Sequence, residues 1–111
     1  MSFTFKQFSI NDRNTPMKVG IDAVLLGSWI DVPDKIKILD VGSGSGIIAL
    51  MLAQRFPKSI ITALEINGYS YSDLQENVIH SPWKDRINTL NIDFNNWSCE
   101  KGFDLIVSNP P

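Results

Sequence analysis

Residues 38–46, Ile-Leu-Asp-Val-Gly-Ser-Gly-Ser-Gly, constrain what this chain can fold into more than any other stretch. A short apolar run carries an acid, Asp40, and opens into three alternating glycines, Gly42, Gly44 and Gly46. A longer apolar run, 47–53, follows at once. Short run, breaker, longer run describes a strand feeding a helix. Glycine adopts positive φ without steric cost and lets a ligand approach the backbone, so three in five positions describe a loop built to touch something.

The spacing narrows the ligand. Dinucleotide-binding loops space their glycines G-x-G-x-x-G, which seats a pyrophosphate on the N–H groups of the following helix. This chain reads G-x-G-x-G, and Asp40 places a carboxylate at the mouth of the loop. A carboxylate repels a pyrophosphate and suits a cation. The pattern resembles motif I of the S-adenosylmethionine-dependent methyltransferases with a Rossmann-like fold, whose cofactor carries an ammonium and a sulfonium and no phosphate. An ordinary strand–loop–helix corner explains the glycines alone equally well, so the rest of the chain has to decide.

Length and composition set the bounds. A chain of 111 residues, 43% hydrophobic and 20% charged, is one small globular domain with a modest core. No apolar run is long enough to span a bilayer, and residues 1–6 lack the order of a signal peptide, so the expected location is cytoplasmic. Cys99 and His80 are each the one residue of their type, which excludes an internal disulfide and leaves no metal-ligand set. A net charge of -2 supplies no electrostatic footprint for nucleic acid, so an RNA partner would need a basic surface from elsewhere.

Along the chain, alternation around Phe3, Phe5, Phe8 and Ile10 predicts a short strand or hairpin, followed by a turn-rich segment, 11–16. Asp22 is placed to cap a helix over 23–30, and Pro33 closes it. Strands are predicted over 36–41, 59–65, 86–92 and 103–108. Helices are predicted over 47–56 and 70–80, the second with Leu74, Asn77 and Val78 inward and Asp73, Gln75 and Glu76 toward water. This divides the chain into a hairpin and helix, 1–35, and βα units, 36–111.

Glu65 ends the second of the four strands, at close to the roughly 20-residue spacing from the glycine loop at which a βαβ unit sets an acid on a ribose. Both adenosine-containing cofactors share that feature, and a strand-end acid in solvent is the plain alternative. Asp93 and Phe94 follow the third strand, where an adenine could be hydrogen-bonded and stacked. The chain ends in Asn109-Pro110-Pro111, a stiff loop presenting one amide side chain.

Asn109-Pro110-Pro111 resembles the start of the Asn-Pro-Pro-aromatic motif of methyltransferases acting on planar nitrogens. The stretch from Phe5-Lys6-Gln7-Phe8 through Asp12-Arg13 to Met17-Lys18-Val19-Gly20-Ile21-Asp22-Ala23 and Trp29 is similar to the beginning of a bacterial family, the tRNA (adenine-N6)-methyltransferases that modify the adenine beside the anticodon of a valine tRNA. The resemblance implies an α/β, Rossmann-like class I methyltransferase, a three-layer sandwich with a mainly parallel sheet in which the third, second, first and fourth strands lie side by side. It implies S-adenosyl-L-methionine as cofactor, with Lys18 and Asp22 over its methionine end. Asp40, Gly42, Ser43, Gly44 and Gly46 lie beneath, Glu65 and Ile66 at the ribose, and Asp93 and Phe94 at the adenine. Asn109, Pro110 and Pro111 stand at the transferred methyl, with Asn109 also against the cofactor. The motif's aromatic and the family's later strands would come after Pro111. The chain therefore reads as the N-terminal, cofactor-binding part of one domain, truncated after its fourth strand, with an open edge for self-association.

Two other functions compete. A protein glutamine-N5 methyltransferase of the release-factor type shares the Asn-Pro-Pro loop but usually carries a helical domain ahead of it. A nucleotide-binding module without catalysis fits the incomplete motif.

Overall fold

A computed structural model of the chain describes residues 2–4, 9–11, 13–14, 30, 33–98 and 102–108. The predicted helix over 23–30, except Ile30, and the site candidates Lys18, Asp22, Asn109, Pro110 and Pro111 lie outside these residues.

Two strands, β1 (Ser2–Thr4) and β2 (Ser9–Asn11), pair antiparallel with Phe3 opposite Ile10. This is the predicted hairpin. The remainder alternates strand and helix: β3 (Lys37–Val41), α1 (Ile47–Arg55), β4 (Ile60–Leu64), α2 (Gly68–Ile79), β5 (Ile87–Leu90) and β6 (Leu105–Ser108). The last four strands form one sheet in the order β5-β4-β3-β6, every pair parallel. The expected strand order is therefore the observed one. Each step from β3 to β5 moves outward in one direction, and the return to β6 crosses to the other side of β3. The chain reverses its direction of progress between β3 and β6, and crevices that bind ligands in open α/β sheets lie at the carboxyl ends of strands at such a switch point.

Register explains the core. Ile38 pairs with Ile61 and with Leu105, and Ile61 pairs with Ile87, so one lateral row of apolar side chains points to one face. Onto that face pack α1, buried from Ile47 through Ala53, and Leu74 and Val78 of α2. Leu39 and Leu64 are buried as well but, by alternation, on the opposite face. No helix among the described residues is long and apolar enough to cross a membrane.

Of the boundaries that differ from expectation, three do so because a polar group finds a particular partner. Helix α2 starts at Gly68 because the Asn67 side chain accepts from the N–H groups of Tyr69 and Ser70, a side-chain cap in place of a free turn. Strand β5 excludes Arg86, which closes a 3-10 turn (Lys84–Arg86). Its guanidinium donates to the carbonyls of Ala53, Phe56 and Ser59, putting a cation on the C-terminus of α1. Strand β6 starts after Asp104, whose carboxylate accepts from Lys37 N–H at 2.9 Å and so takes the place of a ladder bond.

Asp73 corrects a further expectation. It is fully buried rather than turned to water, and both its oxygens accept from Asn14, one from the backbone N–H at 3.0 Å and one from the side-chain amide at 2.9 Å. Helix α2 thereby holds the segment that follows the hairpin.

Candidate cofactor site

The glycine loop stands at the carboxyl end of β3. Gly42, Gly44 and Gly46 have φ of 72°, 57° and 96°, all in the left-handed region that only glycine enters freely. The three are not equivalent. A Cβ on Gly42 or Gly44 would meet open space, whereas one on Gly46 would stand 2.7 Å from Leu74 Cδ1. The first two glycines leave bare backbone facing outward. The third lets the N-terminus of α1 close on α2, a packing role that its Cβ side shows directly.

The loop is held from below by its neighbours. Ser43 gives its N–H to Leu64 O at 2.8 Å and its hydroxyl to Asp40 O at 3.0 Å, so this buried side chain staples the loop to the sheet. Asn77 of α2 donates to Ser45 O at 2.7 Å, a tether that the helix periodicity placed inward without revealing its partner.

Glu65, directly after β4, closes one side of the loop. One carboxylate oxygen accepts from Gly44 N–H at 2.7 Å and the other from Asn67 N–H at 2.9 Å. Each carboxylate oxygen has a second lone pair, so Glu65 keeps acceptor capacity after binding both amides. Its own backbone is pinned by Asn91, whose amide donates to Glu65 O and Ile66 O. Neither Asn91 nor Asn77 carried a sequence signal beyond a polar residue near a strand end or on a helix's inner face.

Ile66 is exposed, and so is Phe94. Asp93 caps the 3-10 turn Phe94–Asn96 by accepting from Asn95 N–H at 3.0 Å. These residues follow β4 and β5, which are adjacent and parallel, so both apolar side chains belong to loops at the same end of the sheet as the glycines.

Asp40 departs most from its expected place. It lies beneath the loop, not at its mouth, and only 1% of it is exposed. In register it falls between Ala63 and Val107, both apolar and buried. Among the described residues neither carboxyl oxygen has a hydrogen-bond partner. Burial raises its pKa to about 7. The Glu65 charge adds to the rise, and the Ser43 hydroxyl and Ala49 N–H oppose it without reaching hydrogen-bond geometry.

Comparison with known proteins agrees with this arrangement. Residues 17–111 match the family model of the methyltransferase small domain. A relative from Bacteroides thetaiotaomicron named tRNA1(Val) (adenine(37)-N6)-methyltransferase is 50% identical over 98% of this chain, which covers 46% of that protein. One of the same name from Salmonella typhi is 48% identical with the same coverage. The chain thus spans about half the length of the curated relatives it matches. Among solved structures, an S-adenosylmethionine-dependent methyltransferase from Geobacter sulfurreducens, in complex with S-adenosyl-L-homocysteine, superposes with a TM-score of 0.68. It is 16% identical over 88% of this chain and 39% of that one, a likeness of fold. With a parallel sheet switching direction at a G-x-G-x-G loop, and a family model covering both the loop and the closing Asn-Pro-Pro, the chain belongs to the methyltransferase small domain family and has the Rossmann-like class I architecture.

Proposed function

We propose that the chain binds S-adenosyl-L-methionine and supplies the cofactor-holding part of an enzyme that methylates N6 of an adenine in tRNA, the adenine beside the anticodon of a valine tRNA. The observation that carries this reading is the 50% identity, over nearly the whole chain, to a protein named for that reaction.

The residues present fit the cofactor. Bare backbone at Gly42 and Gly44 admits a ligand against the loop, and an orphaned carboxyl below it favours a cation over a pyrophosphate. Glu65 retains acceptor positions for the ribose hydroxyls, and Ile66 and Phe94 offer apolar surface to an adenine. Lys18 and Asp22 would serve the methionine end. When bound, the cofactor supplies an electrophilic methyl group on a sulfonium. Asn109 and Pro110 then position the target: the amide oxygen and the carbonyl accept the two N–H bonds of an exocyclic amine and hold its nitrogen in line. Ser108, the last residue of β6, pairs with Val41, so β6 delivers the chain to the level of the glycine loop one residue before Asn109. No side chain with a shifted pKa is needed as base, because the amine sheds its proton after it has gained the methyl.

The test is transfer of labelled methyl to a valine tRNA transcript and to a release factor, using the full-length protein. Incorporation into the tRNA alone, lost when the target adenine is replaced, supports the reading. Incorporation into the release factor replaces it with the glutamine-N5 reaction, and binding without transfer to either leaves a non-catalytic module. Asn109→Ala should lower turnover by a large factor and leave cofactor affinity nearly unchanged, the signature of a contact made in the transition state.

A further inference from the structure

Asp40 is a buried acid whose two oxygens find no partner among the described residues. In a sheet interior between Ala63 and Val107, a carboxylate is costly because water is excluded and no donor replaces it. The neutral acid is cheaper there, yet it too has an O–H and a carbonyl with no match. Among the described residues the charged group acting on Asp40 is Glu65, at the end of β4, and it disfavours ionisation. From α1 the nearby group is the Ala49 N–H, and β6 contributes the apolar Val107. A group so placed changes its protonation when a positive charge arrives. The open ground for such a charge is the backbone of Gly42 and Gly44 just after it in the chain.

We propose that Asp40 is a proton-linked counter-charge of the cofactor site: it is a neutral acid in the empty protein and gives its proton to solvent when a cationic ligand settles on the glycine loop. The inference rests on the reading of this loop as the S-adenosylmethionine site. One O–H bond breaks, the proton passes to buffer, and the carboxylate left behind faces the ligand's positive charge. The sulfonium cofactor brings one more positive charge than its thioether product, S-adenosylhomocysteine. Cofactor uptake therefore releases more protons than product uptake, and the site distinguishes the two by charge. Acid lowers affinity for the cofactor more than for the product.

Calorimetry of the intact protein at pH 6, in buffers of different ionisation enthalpy, measures the protons released on binding. At this pH the ligand's own amine is already charged, since such groups titrate near 7.7 to 8.0. Most of one proton should leave with S-adenosylmethionine and distinctly less with S-adenosylhomocysteine. The release should fade by pH 8, where Asp40 is already ionised. At pH 6 Asp40→Asn should release none, and its cofactor affinity should be flat between pH 6 and 7, below the titration of the ligand's amine. His80→Gln should leave the release unchanged, because that ring caps the far end of α2 against Glu76 O. The wild-type pH profile decides the matter even if Asp40→Asn does not fold. Binding of both ligands without proton release overturns the inference and leaves the cofactor site standing. Failure to bind either ligand removes the site and the inference together.

Discussion

Glu65 shows how one side chain joins a strand end to a loop. With both oxygens on backbone amides, it sets the position of Gly44 before any ligand is present. Replacing it with alanine removes two charge-assisted bonds and, with them, the acceptor proposed for the ribose. We expect Glu65→Ala to weaken S-adenosylmethionine binding by about 1.5 to 3 kcal/mol, the range for hydrogen bonds to charged groups. Calorimetry checks this, and equal affinity for NAD in the wild type would contradict the cofactor assignment. Asp40 makes a second prediction at this scale. Its folded pKa, about 7, lies above the value of 3.8 it has when unfolded, so the folded state binds more protons between those limits. Stability therefore falls as pH rises from about 4 to 7 and is flat above, at up to roughly 1.4 kcal/mol for each pH unit. Urea midpoints of ligand-free protein should drop between pH 5 and 8 in the wild type. Asp40→Asn should lack this component and be the more stable of the two at pH 8.

Helix α2 is the element that organises the site's surroundings. Its inner face carries Asp73, Leu74 and Asn77 within little more than one turn. These engage the segment after the hairpin, the N-terminus of α1 and the carbonyl of Ser45 respectively. Gly46, at the start of α1, packs directly against Leu74 of α2. Gly46→Ala would force a Cβ to 2.7 Å from a fully buried leucine and hold alanine at a φ of 96°. Strain and overpacking together should destabilise the fold by roughly 2 to 4 kcal/mol. Gly42→Ala meets only the φ penalty, so its loss in urea denaturation should be the smaller. It should instead reduce cofactor affinity, since its Cβ fills the open ground.

At the scale of the molecule, the sheet has one conspicuous edge. Among the described residues no strand pairs with the outer side of β6, and Ile106 is 57% exposed there. An apolar strand with unpaired N–H and C=O groups is a template for another chain. The 111-residue chain should therefore self-associate through β6 at high concentration, and Ile106→Lys should shift sedimentation toward monomer by placing a charge on that edge. A wild-type monomer at the highest soluble concentration would show the edge to be covered.

Local rules in the sequence were enough to determine the glycine loop, the strands and helices on either side of it, and the acid after β4. Glycine spacing, apolar run length and strand-end position are properties of neighbours in the chain, and the parallel order followed from the resemblance carried by 17–29 and the closing Asn-Pro-Pro. What only the tertiary structure decided is where polar groups go when the elements pack. Helix periodicity alone turns Asp73 to water, yet it is buried because Asn14, from a distant segment, meets both its oxygens. Arg86 leaves its strand to cap α1, and Asn91 locks the backbone behind Glu65. Ser43 turns inward, Gly46 serves helix packing, and Asp40 sinks beneath the loop instead of fronting it. Each outcome depends on how separate elements meet, and the satisfaction of a buried donor or acceptor is settled only when the sheet and helices have closed around it.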